Sequence, residues 1–301
     1  MSEGDRVKRL GRAQLPSRIV YQADPLARFL IERLRLGKYS AALAGLTWSL
    51  IYLLVLPAIF AGLWSRGEYL GSLDDWHAQI LLLLVFPVTC GFYLWQPSAI
   101  TRVYKLILSG NPSHDVGRLY HKGIWRYLSL VCGLAVVLFD GPKRIADYGS
   151  WWMTQNWLTI AGREASLALA FYILSMIAWR QLIATVEWNR LLAKPTTATV
   201  LKAVTNYGLG SVFLLALLGV RVGVEGIELP QRPGTGAPDY YIYCAKIAVY
   251  IIAGLMLFFV PIARVRRERL GISLARVITL LKLAGIMALP LLAYIILKLV
   301  L

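Results

Sequence analysis

The chain has 301 residues, 58% of them hydrophobic and 16% charged, with a formal net charge of +16. Soluble domains run at about 45–50% apolar and about 25% charged residues, so this composition argues against an ordinary soluble domain. The three cysteines, Cys90, Cys132 and Cys244, lie in apolar segments with no CxxC or Cys/His cluster, so they read as small packing residues rather than as a disulfide framework or a zinc site.

The first 40 residues form a basic tail. An apolar stretch does not follow soon after the start, so a cleavable signal peptide is not expected. From Asp24-Pro25 to Lys38, Leu26, Phe29, Leu30, Ile31, Leu34 and Leu36 are interspersed with Arg28, Arg33, Arg35 and Lys38. That pattern predicts a basic amphipathic helix with Asp24 as N-cap and Pro25 at the first helical position. It is expected at the headgroup surface or packed on the cytosolic side.

Apolar blocks follow at about 41–63, 77–96, 123–139, 165–182, 207–224, 241–263 and 283–301. Crossing about 30 Å of hydrocarbon takes roughly 20 helical residues. Backbone groups in lipid must be paired within the segment, and the blocks lack the alternation of barrel strands. The predicted fold is all-α: a polytopic transmembrane bundle of seven spans over residues 41–301, preceded by the basic tail 1–40.

Loop charge orients the bundle. Regions 1–40, 97–126, 180–207 and 264–282 carry 24 Lys/Arg against seven Asp/Glu, whereas 64–76, 140–164 and 221–239 carry six against nine. A Lys/Arg excess marks the cytosolic side, which predicts the N-terminus inside and the C-terminus outside. The expected location is the plasma membrane. Trp151, Trp152 and Trp157 in the outer loop 140–164 suit an interfacial aromatic belt.

Ionisable groups inside spans are costly and are functional hypotheses by default. Arg221 continues the apolar run 212–220, near the outer end of the fifth span. Asp140 ends the third span on the same side, and Glu225 lies one turn beyond Arg221. A pair of Arg221 with Asp140 or Glu225 would make a charged outer vestibule; the plainer alternative is that Arg221 snorkels. Arg180 is expected to snorkel inward, and Glu187 to lie on a solvated helix face. His114, Asp115 and His121 share one loop, a weak signal for a metal site. Arg264, Arg266, Arg267, Arg269 and Arg276 follow the sixth span; they read as topogenic charges and as candidates for anionic headgroup or partner contact. Pro57, Pro87, Pro261 and Pro290 predict kinks.

No nucleophile elbow, HExxH, P-loop or pair of carboxylates within the spans is present, so no enzyme activity, cofactor or metal is expected. The basic charge follows topology, so no nucleic-acid partner is expected. The expected partners are the bilayer, anionic headgroups on the cytosolic side and further copies of the chain. The sequence is best read as a non-enzymatic pore-forming or ligand-sensing membrane protein. A small-solute or lipid transporter is the first alternative, and a scaffold recruiting a partner through its basic face is the second.

Overall fold

A computed structural model describes residues 18–66, 70–108, 119–120, 122–146, 151–191, 198–228, 248–249, 252 and 274–300. These residues are predominantly helical. Two short helices, α1 (Arg18–Tyr21) and α2 (Pro25–Arg28), are followed by α3 (Lys38–Phe60), α4 (Trp76–Leu108), α5 (Ile124–Ala146), α6 (Trp157–Leu191), α7 (Ala198–Glu228) and α8 (Leu274–Val300).

Among the described residues, four helices are long and apolar enough to cross a membrane, within Lys38–Phe60, Trp76–Leu108, Trp157–Trp188 and Ala198–Val222. The apolar stretches Ile124–Phe139 of α5 and Ile278–Pro290 of α8 are shorter. The expected sixth span, 241–263, falls almost wholly outside the described residues. The apolar face supports membrane residence. Only 28% of the span window in α3 is buried, and Leu43, Trp48, Ile51, Leu54, Val55 and Ile59 are exposed along it. On α5, Val131, Leu134, Leu138 and Phe139 are exposed as well. A continuous apolar surface of this kind is unstable against water and stable against lipid.

The helices run past the apolar blocks at their ends. The α4 helix extends to Leu108 and α6 begins at Trp157, well outside the expected 77–96 and 165–182. Hydropathy locates the hydrocarbon portion, whereas a helix continues until its backbone is capped or broken.

Pro57 and Pro87 each follow a π-helical turn, Ile51–Val55 in α3 and Leu81–Val85 in α4. A proline removes one donor and its ring crowds the carbonyl four residues earlier. Wider turns just upstream accommodate both effects. Pro97 lies within α4 and Pro290 within α8.

Helix α5 packs along α6, α3 and α6 each flank α4, and α7 contacts both α4 and α8. Glycine sets the α5–α6 approach. A β-carbon at Gly133 would lie 2.6 Å from the Ala168 carbonyl oxygen, and Ser129 Oγ and Ser175 Oγ are hydrogen-bonded at 2.9 Å nearby. Membrane helices associate through such small-residue contacts because lipid supplies little hydrophobic drive between them. Gly133→Leu is therefore expected to lower stability by about 1–3 kcal/mol, whereas Leu134→Ala, at an exposed position, should change it little. Unfolding midpoints in one detergent would compare the two.

Residues 18–36 pack into the bundle. Tyr21 and Ala27 are buried with Ala41 of α3, Phe92 and Tyr93 of α4, and Tyr172, Ile173 and Met176 of α6. The expected amphipathic helix is divided. It runs as α2, then a π turn over Phe29–Arg33, and ends at Arg35, where φ is +52°.

Candidate functional site

Asp24 caps α2 as its sequence position implies: its Oδ1 accepts from the Ala27 backbone N–H at 3.2 Å, with Pro25 at the first helical position. The carboxylate does more than cap. It is fully buried. Its Oδ2 receives a hydrogen bond from Tyr93 Oη of α4 at 2.6 Å, and its Oδ1 another from Tyr172 Oη of α6 at 2.8 Å. Arg180 Nη2 of α6 forms an ion pair with Oδ2.

Arg180 therefore does not snorkel. Its side chain is buried, it lies eleven residues before the end of α6, roughly 16 Å of helix, and its guanidinium sits 4.7 Å from the Tyr93 ring centroid. Its Nη1 donates to the Tyr93 carbonyl at 3.0 Å. That carbonyl is the one which Pro97, four residues on, cannot satisfy from within the helix. Proline thus creates a vacant acceptor inside α4, and an arginine from α6 fills it. Cutting a buried charge off from water costs several kcal/mol; here the two charges and three neutral donors offset that cost together.

A second polar group adjoins this one. Gln96 Nε2 donates to the Ile177 carbonyl at 2.9 Å and to Tyr207 Oη at 3.0 Å, and Ser211 Oγ donates to Gln181 Oε1 at 3.1 Å. Glu187 is half-buried rather than fully solvated, and Tyr104 Oη donates to its carboxylate. Gln96 Oε1 and Arg180 Nε are buried with no hydrogen-bond partner among the described residues, which leaves an acceptor and a donor for ordered water.

Beside Tyr93 lies an apolar cavity of about 370 Å³, within the usual range of about 300–1,000 Å³ for small-molecule sites. Leu26, Leu30 and Leu36 of the N-terminal segment cover one side. Ala44 and Trp48 of α3, Phe86 of α4, and Ala165 and Leu169 of α6 line the rest. Ala44 and Ala165 are exposed, so small residues leave the cavity open at the outer surface of the bundle. Trp48 Nε1 donates to Ser166 Oγ at 3.2 Å along its wall. Cys90 also lines it and is a free thiol.

The opposite end of the bundle is closed by a second buried carboxylate. Asp75 caps α4 through the Ala78 N–H at 2.9 Å, and its Oδ2 accepts from the indoles of Trp151 at 2.7 Å and Trp152 at 3.0 Å. Trp151 and Trp152 are thus buried rather than belt residues, whereas Trp157 is 72% exposed. Gly71 permits the turn that carries Asp75; a β-carbon there would meet the Trp64 carbonyl carbon at 2.4 Å. Neighbouring Asp74 accepts from the Ser65 N–H at 2.7 Å. Hydrogen bonds from the Ser65 side chain and backbone hold its carboxyl below the ordinary 3.8. Its contribution to stability is complete above that value and is lost as pH falls through the lowered one.

Arg221 is half-buried at this same end, and its Nε donates to His77 Nε2 at 3.2 Å. This contact gives Arg221 a partner on α4 that loop charge does not reveal. The side chains of Asp140, Glu225 and Arg276 lie outside what the structure describes, as do residues Arg264, Arg266, Arg267 and Arg269, together with His114, Asp115 and His121. Among the described residues no group of three or more metal-ligating side chains comes together.

The missed features carried signals of a kind. Pro97 within an apolar helix announces an unpaired carbonyl, Arg180 interrupts the apolar run 173–186, and Asp24 stands immediately before a proline. No family model matches the chain, and neither the curated proteins nor the solved structures compared with it include a similar one.

Proposed function

We propose that the chain is a non-enzymatic integral membrane protein that senses an amphiphilic ligand taken from the bilayer. The observation that carries this reading is the position of the cavity. Its cover is the segment Leu26–Leu36, which is anchored to the bundle just upstream by the buried Asp24–Arg180 pair. A ligand in the cavity touches both the segment and the spans, so it binds the docked arrangement better than an undocked one. Such differential affinity is what a ligand needs to shift a conformational equilibrium. In this reading the bundle has seven spans, with the basic N-terminal end in the cytosol and the chain in the plasma membrane. The interior polar groups bond mainly to one another, which favours sensing over conduction.

Lipid transport is the second reading. It is favoured by the π turns and prolines of α3 and α4, two of the three helices that line the cavity. Such irregular turns are common at functional sites in helices.

Native mass spectrometry of the purified full chain would test occupancy. Wild type is expected to retain one lipid-sized adduct through detergent exchange, and Ala44→Phe/Ala165→Phe, which fills the open side, to lose it. Equal adducts in both proteins would overturn the cavity as the site.

A further inference from the structure

We infer that the cavity takes an acyl chain of an anionic glycerophospholipid whose phosphate is held at Arg33, Arg35 and Lys38. This assignment rests on the cavity being a ligand site and names the class of ligand. The segment that covers the cavity has two chemistries. Leu26, Leu30 and Leu36 line the cavity, while Arg28, Arg33, Arg35 and Lys38 are exposed. Two of the nearby arginines are already engaged: Arg18 Nε lies 3.0 Å from Glu32 Oε1, and Arg28 Nε 3.9 Å from Glu32 Oε2. Among the described residues, no carboxylate pairs with Arg33, Arg35 or Lys38. Leu36 stands between Arg35 and Lys38 in the chain, so cations and cavity lining meet within a few residues. A ligand that satisfies both must join a long apolar chain to an anionic group.

The backbone at Arg35 adds a second observation. Leu34 N–H donates to the Phe29 carbonyl at 3.1 Å and Leu36 N–H to the Leu30 carbonyl at 2.9 Å. These bonds end the π turn and hold Arg35 at φ +52°. Helices commonly end on a left-handed residue, and glycine is the usual choice because it has no side chain to crowd the backbone. Here an arginine takes the strained position while Gly37 lies two residues on. Strained conformations of non-glycine residues cluster at ligand sites. Three cations without a carboxylate partner, one of them (Lys38) resting 4.6 Å from the Tyr39 ring centroid, attract anionic lipid over zwitterionic lipid at a membrane surface, and a selectivity of about tenfold is expected after discounting for their exposure.

The test uses the full chain in phosphatidylcholine nanodiscs containing a trace of a photoreactive lipid. The lipid carries a diazirine in its acyl chain and either a phosphatidylglycerol or a phosphatidylcholine headgroup. Labelling is expected on peptides covering 26–48 and 165–173, about tenfold stronger with the glycerol headgroup. Arg33→Gln/Arg35→Asn/Lys38→Gln should bring it down to the choline level; asparagine tolerates the left-handed backbone at position 35. Ala44→Phe/Ala165→Phe should abolish labelling by both probes. Equal labelling by the two headgroups at the lining peptides, or an unchanged ratio in the triple variant, would overturn the anionic assignment and leave the cavity reading standing. No labelling of the lining peptides by either probe would overturn both.

Discussion

Asp24→Ala is expected to destabilise the folded chain by about 3–5 kcal/mol, the cost of breaking a buried ion pair by removing one partner. The loss is large because three other donors converge on the same carboxylate, from Ala27, Tyr93 and Tyr172. Without it the Arg180 guanidinium stays buried with only the Tyr93 carbonyl as acceptor. Arg180→Met should cost less, since Asp24 keeps three hydrogen-bond donors. The double variant Asp24→Asn/Arg180→Met should cost about 1–3 kcal/mol less than the sum of its single changes, as expected for residues in one network. Asparagine preserves the cap of α2, so the double variant removes both charges without undoing the helix start. Equilibrium unfolding in a single detergent would measure the cycle. Additive effects would show that the two side chains do not act together.

The second large effect lies at the other end of the bundle. Asp75→Ala removes the acceptor for the Ala78 N–H and for two indole N–H groups. Each buried donor left unpaired costs about 1–3 kcal/mol, so a loss of about 3 kcal/mol or more is expected. Asp75→Asn should be nearly as harmful. Its amide has one acceptor oxygen, so either the cap or the indoles face an N–H₂ group. The change should also appear as a shift in tryptophan emission, because Trp151 and Trp152 lose their shared partner. Asp74→Asn, one residue away and less buried, should cost well under 1 kcal/mol. Comparable losses at the two positions would mean that the indole contacts do not stabilise the bundle.

The two carboxylates show what the amino-acid order reveals and what it conceals. Local chemistry was legible: Asp24 before Pro25 reads as a helix start, and the structure places it there. The partners were not legible, because they come from far along the chain. Arg180 lies 156 residues from Asp24, and Trp151 lies 76 residues from Asp75. Periodicity tells which face of a helix is apolar but not which helix covers it. Composition also misassigned residues whose chemistry suits two settings. An arginine near a helix end can snorkel or fill a vacant carbonyl, and a tryptophan in a connecting loop can sit at the interface or donate to a buried acid. Pro97 would have decided the first case, but apolar length alone ended the second span at Gln96, one residue before it. The cavity was invisible for a related reason. Ala44, Ala165 and the leucines of the N-terminal segment are unremarkable singly and define a site only once three helices and that segment meet.

A lipid in the cavity is expected to stabilise the docked N-terminal segment. Backbone hydrogen exchange of residues 25–36, followed in the full chain as lipid is returned to a delipidated sample, tests it most directly. Protection is expected to rise with lipid in wild type, to stay low in Ala44→Phe/Ala165→Phe, and to be lost in Asp24→Ala at any lipid level. Exchange over 25–36 that is indifferent to lipid in wild type would show that the cavity does not couple lipid to the docked segment.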